Sequence, residues 1–194
     1  MKRALRFLWA LRVLPPGVAR FQWRAWRVAV RSGDHFSAVS ATRPHNLAAL
    51  LEAARGRRRA VELGTGTAWT SISLLLAERN RELVSYDPVE RPERERYLRL
   101  VGPGVRRRLA LVAAPGAEGP RDREPVELLY VDSSHERDQT IQEVRAWLPV
   151  LAPGALIVFD DFGHPDYPGV RQAVEGLGLQ GERRANLFVV RADP

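Results

Sequence analysis

The sequence contains no cysteine among its 194 residues. That absence excludes disulfide bonds, thiolate metal ligands and cysteine nucleophiles. No apolar run reaches the roughly 18 residues that cross a bilayer. Arg6 and Arg12 interrupt the apolar N-terminus, where a signal peptide needs an unbroken core. We therefore expect neither a membrane span nor a cleaved signal peptide, and we expect the chain to work in the reducing cytoplasm.

Acidic side chains are missing from residues 1–31, which hold eight basic ones. The rest of the chain has 22 basic and 23 acidic residues, so the formal net charge of +7 belongs to the N-terminal end. The breaker sequence 15–17 (Pro-Pro-Gly) separates predicted helices over 3–14 and 18–31. We assign residues 1–44 to a basic N-terminal arm and 45–194 to the main domain.

One face of the second arm helix carries four arginines at the spacing i, i+4, i+7 and i+11, namely Arg20, Arg24, Arg27 and Arg31. This Arg stripe has three interpretations. It is the solvated face of a substrate lid or a homodimer element, it docks on an anionic membrane surface, or it contacts nucleic acid phosphates. We favour the lid or dimer, because a basic amphipathic helix alone is a weak indicator of a charged partner.

From residue 45 onward, short apolar strands alternate with helices. Strands are predicted over 59–63, 82–86, 109–113, 126–131, 155–159, 179–184 and 187–191, and helices over 45–55, 68–79, 91–100, 136–151 and 168–177. This alternation predicts an α/β fold, a Rossmann-like, doubly wound, mostly parallel seven-stranded sheet with helices on both faces. Ligands of such sheets bind beyond the carboxyl ends of the strands.

A glycine-containing turn, Glu62-Leu63-Gly64-Thr65-Gly66, joins the first strand to its helix. Glycine lets the backbone turn tightly and approach a ligand. Asp87 closes the next strand, where a carboxylate can accept hydrogen bonds from ribose hydroxyls. A dinucleotide fingerprint needs a third small residue, and Trp69 is too large for that position.

At these residues the chain resembles the class I S-adenosylmethionine-dependent methyltransferases, through the motif 61–66 and Asp87. The resemblance implies that the turn and the segment 67–71 hold the methionine end of the cofactor and that Asp87 binds its ribose. The family's polar adenine partner after the third strand is absent, because 113–115 reads Ala-Ala-Pro. The implied cofactor-binding residues are Glu62, Gly64, Thr65, Gly66, Trp69, Ser71, Asp87 and Asp132.

Acidic residues also follow the two central strands: Asp132 after 126–131, and Asp160 and Asp161 after 155–159. Neighbouring strand ends lie about 5 Å apart, so we expect these carboxylates to converge. Clustered carboxylates repel one another unless they are protonated or bound to a cation, and oxygen ligands suit Mg²⁺ or another hard divalent ion. The alternatives are that Asp160 and Asp161 are ordinary loop acids and that 133–136 (Ser-Ser-His-Glu) is a helix-capping box.

This pattern resembles the metal-dependent O-methyltransferases of the catechol and macrocin kinds, the latter most closely in 160–163 and 169–174. The resemblance implies metal ligation by Asp132, Asp160 and Asp161, with His135 as the base. His164 is a substitute base, whereas His35 and His45 are expected at the surface or in a lid. The predicted activity is O-methylation of a small hydroxylated acceptor, either a sugar or a catechol-like molecule.

Two other functions remain open from the sequence. The arm favours a methyltransferase for RNA or protein, although the chain has no Asn-Pro-Pro-Tyr-like motif and its main domain is not basic. The missing adenine partner favours a degenerate cofactor-binding module without activity.

Overall fold

A computed structural model describes residues 2–192. Within them, seven strands form one sheet in the order β3-β2-β1-β4-β5-β7-β6. The strands are β1 (Arg59–Leu63), β2 (Glu82–Tyr86), β3 (Leu109–Val112), β4 (Val126–Val131), β5 (Leu151–Phe159), β6 (Gly181–Arg184) and β7 (Leu187–Arg191). β1 to β5 pair in parallel, and β7 runs antiparallel to both β5 and β6. The predicted mostly parallel, doubly wound sheet is confirmed.

The strand order reverses between β1 and β4, and this is where an open α/β sheet binds its ligand. β4 and the second half of β5 are apolar on both faces and almost completely buried. Strands of this kind need helices on both sides. Their tips, Val131 and Phe159, are register partners, so the residues that follow them emerge side by side.

Helices cover both faces of the sheet. They are α1 (Lys2–Ala10), α2 (Pro16–Ser32), α3 (His35–Ser40), α4 (Pro44–Ala53), α5 (Trp69–Ala77), α6 (Glu93–Leu98), α7 (Pro103–Arg106), α8 (Arg137–Trp147) and α9 (Pro168–Gly176). One core contains Leu50 of α4 and Leu74 of α5 with Tyr130 of β4. The opposite core contains Trp147 of α8 and Val174 of α9 with Leu129. No helix within 2–192 is both long and apolar enough to cross a membrane.

The N-terminal arm shares its core with the main domain. Leu14 and Val18 are buried in the cluster that holds α4 and α5. Further along α2, Phe21 and Ala25 pack in the cluster that includes Trp69. The Arg stripe faces solvent. The arm is therefore a helical layer added to the sheet, and the division at residue 44 stays a prediction.

The structure differs from the sequence prediction at three places. The breaker 15–17 does separate the two arm helices, but α2 already begins at Pro16, because its fixed φ suits the first helical turn. β5 begins at Leu151 and includes Pro153, whereas the preceding helix was expected to run to 151 and the strand to begin at 155. A register irregularity between Val126 and Leu128 lets β5 accommodate a residue without an N–H donor. The short helix α3 was not predicted; Asp34 caps it by accepting a hydrogen bond from the Ser37 N–H.

Candidate active site

A cavity of about 900 Å³ opens at the carboxyl ends of β1, β4 and β5, beneath α3. Its size falls within the range of roughly 300–1,000 Å³ that small-molecule sites occupy. The glycine turn after β1, the acidic residues after β4 and β5, and the exposed side chains of Phe36 and Val39 all contribute to its lining. The fold therefore brings both predicted groups of site residues to one cavity, except Glu62 and Ser71, which do not line it.

Gly64 brings the β1 and β4 tips into contact. Its φ is +100°, and a Cβ added there would lie only 1.9 Å from the Asp132 carbonyl oxygen. No side chain fits in that space, and few residues other than glycine adopt this backbone conformation. The Gly64 N–H donates to the Tyr86 carbonyl at 2.8 Å, which ties the turn to β2 as well. The turn thus packs directly on the backbone that follows β4, and Gly64 and Gly66 present only backbone to the cavity, an arrangement that we call the backbone cradle.

Asp87 is held at the cavity wall by three donors. It accepts hydrogen bonds from the N–H groups of Gly66 and Val89, each at 2.8 Å, and Arg94 lies 3.3 Å from it. Arg94 also donates to the Gly66 carbonyl at 3.0 Å. The carboxylate is therefore fixed beside the turn and lines the cavity, as ribose binding requires. Arg94 was not identified from the sequence, because this link depends on the packing of α6.

Glu62 and Ser71 lie behind the cavity wall. Glu62 is fully buried; its Oε2 accepts hydrogen bonds from the Ser71 and Ser85 hydroxyls, and its Oε1 has no partner within the described part of the chain. Burial raises the pKa of Glu62 to about 8, although the two serines oppose this shift. Its carboxyl group is thus mainly neutral at pH 7. The structure places Ser71 as a partner of Glu62 and not in the cavity lining.

The other residues of the turn and of the start of α5 contact neighbouring side chains of the protein. The Thr65 hydroxyl lies 2.6 Å from that of Ser85. Trp69 lines the cavity and packs edge-on against Tyr97, with ring centroids 5.2 Å apart. Ala68 is buried with φ +66°, a left-handed conformation that suits glycine better. A glycine at this position would adopt the same conformation without that cost.

The carboxylates after β4 and β5 converge around Tyr130. Its hydroxyl lies 2.7 Å from Asp160 Oδ2 and 3.3 Å from Asp132 Oδ2. Burial and the neighbouring charge of Asp132 raise the pKa of Asp160 to about 7. Burial also raises the pKa of Asp132, although the contact with His135 opposes it. Two acids are therefore crowded together with little water to solvate them.

His135 stands between two of these acids. Its Nε2 lies 3.3 Å from Asp132 Oδ1 and 3.5 Å from Asp161 Oδ2, which are ion-pair distances without good hydrogen-bond geometry. The ring stacks on Tyr167, with centroids 4.5 Å apart. Burial alone would lower the pKa of His135, but the surrounding carboxylates raise it above its ordinary value. Asn186 holds Asp161 by donating to its Oδ1 at 2.8 Å.

Asp132, Asp160 and Asp161 supply carboxylate oxygens at one cavity wall. Oxygen ligands of this kind suit a hard divalent cation. Nevertheless, no three acidic or histidine side chains in 2–192 are arranged as a ready metal-binding group. The His135 imidazole takes the place between Asp132 and Asp161 instead.

The other histidines differ in position. His164 lines the cavity near Tyr167, and its Nδ1 accepts a hydrogen bond from the Asp166 N–H at 3.2 Å. His35 is exposed at the cavity rim, as expected for a lid. His45 is exposed on α4 and does not line this cavity.

The capping-box alternative for 133–136 is wrong, because α8 begins only at Arg137. The Ser133 hydroxyl instead donates to Glu143 Oε2 at 2.6 Å. Glu143 is completely buried and also accepts from Gln139 at 3.1 Å. Gly116 lies in the loop after β3, and a Cβ added to it would lie 3.2 Å from Glu143 Oε1. Glu143 was not identified from the sequence. The feature that could have indicated it is an acidic residue on the buried side of α8.

Comparison with known proteins agrees with this geometry. Residues 61–162, more than half of the chain, match the model of the family described as a methyltransferase domain. No curated protein matches the chain in sequence.

The fold is also that of solved methyltransferase structures. The SAH-bound methyltransferase PaMTH1 from Podospora anserina is similar with a TM-score of 0.68 and 13% identity, over 93% of this chain and 89% of that one. The O-methyltransferase TomG from Streptomyces achromogenes, in complex with SAM, gives a TM-score of 0.61 and 21% identity, over 93% and 91%. The chain therefore belongs to the methyltransferase-domain family and is a class I S-adenosylmethionine-dependent methyltransferase.

Proposed function

We propose that the protein methylates a hydroxyl group of a small molecule and that a divalent cation assists the reaction. The observation that carries this proposal is the convergence of Asp132, Asp160, Asp161 and His135 in the cavity that also contains the backbone cradle at Gly64. A methyl acceptor placed between the two groups would lie against both an acid–base pair and the methyl donor.

The residues around Gly64 and Asp87 fit S-adenosylmethionine. Gly64, Thr65 and Gly66 line the cavity, where a ligand chain can approach their backbone, and Asp87 presents its carboxylate for two ribose hydroxyls. We assign adenine recognition to Glu143, which lines the cavity beside Gly116. When bound, the cofactor supplies an electrophilic methyl group on a sulfonium. The task of the chain is then to hold donor and acceptor in line.

His135 is the proposed base. A neutral hydroxyl is a poor nucleophile, and loss of its proton to a positioned imidazole accelerates attack. Asp132 and Asp161 hold the imidazole from one side and Tyr167 supports its ring. Asp132, Asp160 and Asp161 are the residues that would hold the cation, which requires the His135 ring to move from between Asp132 and Asp161. A bound cation would favour the alkoxide form of the acceptor.

The cavity rim favours an acceptor with an apolar or aromatic body. Val39 is 84% exposed and Phe36 42% exposed, both on α3 over the cavity, and Tyr167 lines the same cavity from the loop that follows β5. Such a rim suits a catechol-like acceptor better than a sugar, whose hydroxyls would lose water against apolar groups. TomG, the similar protein from Streptomyces achromogenes, is involved in tomaymycin synthesis.

The proposal is tested by measuring methyl transfer to catechol-type acceptors with and without Mg²⁺ or Mn²⁺. Asp161→Ala should abolish metal-dependent turnover while cofactor binding persists. His135→Ala should reduce the rate roughly 10²–10⁴-fold, the usual contribution of a general base. Wild-type activity in Asp161→Ala would refute the metal assignment, and full activity in His135→Ala at neutral pH would point to His164 or water as the base.

A further inference from the structure

Helix α1 is apolar on two opposite faces. On its inner face, Phe7 stacks on Trp26 of α2 with ring centroids 5.5 Å apart, and Leu11 in the following turn is buried. On the outer face, Leu5 is 60% exposed and Trp9 65% exposed. A helix that packs on its domain by one face requires only that face to be apolar. The fold therefore accounts for the inner face and leaves the outer face without a role.

The exposed apolar side chains form one continuous row. Leu5, Leu8 and Trp9 are spaced to share one side of α1, and Val13 follows in the next turn; we call these four exposed residues the outer row. Arg6 and Arg12 are exposed beside it. The first acidic residue of the chain is Asp34, so the whole segment that carries the row has only positive charges.

We propose that the outer row docks the protein on an anionic lipid bilayer, with the arm's guanidinium groups against the headgroup phosphates. Short amphipathic helices with leucine, tryptophan and flanking arginines lie in the bilayer interface in this way. Tryptophan prefers that depth, and each basic residue near an anionic surface strengthens the attraction. The Arg stripe of α2 adds the exposed residues Arg20, Arg27 and Arg31 to the same arm, while Arg24 donates to the Leu100 carbonyl.

The charge pattern favours lipid over the two other partners considered for the arm. In a symmetric homodimer built on the outer row, two basic segments without acidic residues would face each other and repel. A nucleic acid would pair with the arginines but would leave Leu5, Leu8 and Trp9 in water. An anionic bilayer satisfies both the charges and the apolar row.

The test is flotation of the full chain with vesicles of phosphatidylcholine, alone or with 30% phosphatidylglycerol. Binding should require the anionic lipid and weaken severalfold when salt rises, because surface charge is screened. The double variant Leu5→Ser with Trp9→Ser should lower partitioning about tenfold or more. Leu148→Ser, at a leucine outside the arm that is 44% exposed, is the control and should bind like the wild type.

Trp9 also offers a direct readout of insertion. Lipids brominated in their acyl chains should quench part of the tryptophan fluorescence, and Trp9→Phe should remove that quenched part. Absence of vesicle binding, equal binding to neutral vesicles, or equal loss in Leu148→Ser would overturn the proposal. A dimer in light scattering that the double variant converts to monomer would also overturn it, because the row would then be a protein interface.

Discussion

Replacing Glu62 with glutamine should flatten the pH dependence of the protein's stability. The pKa of the buried Glu62 carboxyl is about 8 in the folded chain, against an ordinary value of 4.5 when it is exposed. Between these values, unfolding releases a proton that the folded state retains. The stability associated with this group is therefore complete below about pH 4.5 and is lost as pH rises towards 8.

The size of the effect follows from this difference. Each pH unit in the window changes the free energy of unfolding by about 1.4 kcal/mol. Between pH 6 and pH 8 the wild type should thus lose about 2 kcal/mol through Glu62 alone. Glutamine keeps an acceptor for the Ser71 and Ser85 hydroxyls and does not titrate, so the variant should lack this loss.

The assay is urea unfolding at pH 6, 7 and 8, followed by tryptophan fluorescence. The quantity to compare is the difference in unfolding free energy between variant and wild type, because Asp160 and Asp132 titrate in both proteins. As the pH rises from 6 to 8, the unfolding free energy of the variant should increase by about 2 kcal/mol relative to that of the wild type. Glu52→Gln, at an exposed position on α4, is the control and should show no such shift. A constant difference for Glu62→Gln would mean that Glu62 is ionised in the folded protein.

Three further substitutions test the geometry around the turn. Gly64→Ala should destabilise the fold by roughly 2–5 kcal/mol in urea unfolding, because its Cβ meets the Asp132 carbonyl, whereas Gly102→Ala has open space and should be neutral. Ala68→Gly should change the free energy of unfolding by less than about 1 kcal/mol, because relief of the left-handed alanine offsets the loss of a buried methyl group, and a loss above about 2 kcal/mol would contradict this. Glu143→Gln should reduce the preference for S-adenosylhomocysteine over its hypoxanthine analogue in calorimetry, and an unchanged preference would remove Glu143 from adenine recognition.

Residues that directly follow a strand could be assigned to the candidate site from the sequence. Asp87, Asp132 and Asp160 each follow an apolar strand, and the parallel pairing of those strands brings them to one edge. The turn at Gly64 was equally predictable, because glycine directly after an acidic strand end indicates a tight turn whose backbone a ligand can approach.

Residues that depend on distant packing were not predictable in this way. Arg94 reaches Asp87 only because α6 packs beside the turn, and Glu143 reaches Gly116 from the second turn of α8. Ser71 carries a hydroxyl within the motif but faces Glu62, since the first turn of α5 directs it behind the wall. Sequence spacing indicates which residues share a loop, whereas the direction of a side chain depends on the packing of the helix that carries it.

The two faces of α1 illustrate the same limit. The sequence of the arm shows apolar and basic residues in helical register, but it does not distinguish the face that Phe7 packs on α2 from the face that Trp9 leaves exposed. Only the packed structure separates them.

The most direct test of the cofactor site is calorimetric titration of the chain with S-adenosylhomocysteine, repeated on Asp87→Asn. We predict one site per chain in the wild type and an affinity at least about tenfold weaker in the variant, because each lost hydrogen bond to a charged group is worth roughly 1.5–3 kcal/mol. Absence of binding, or binding that Asp87→Asn leaves unchanged, would contradict the assignment of the cavity beside Gly64 and Asp87 as the cofactor site.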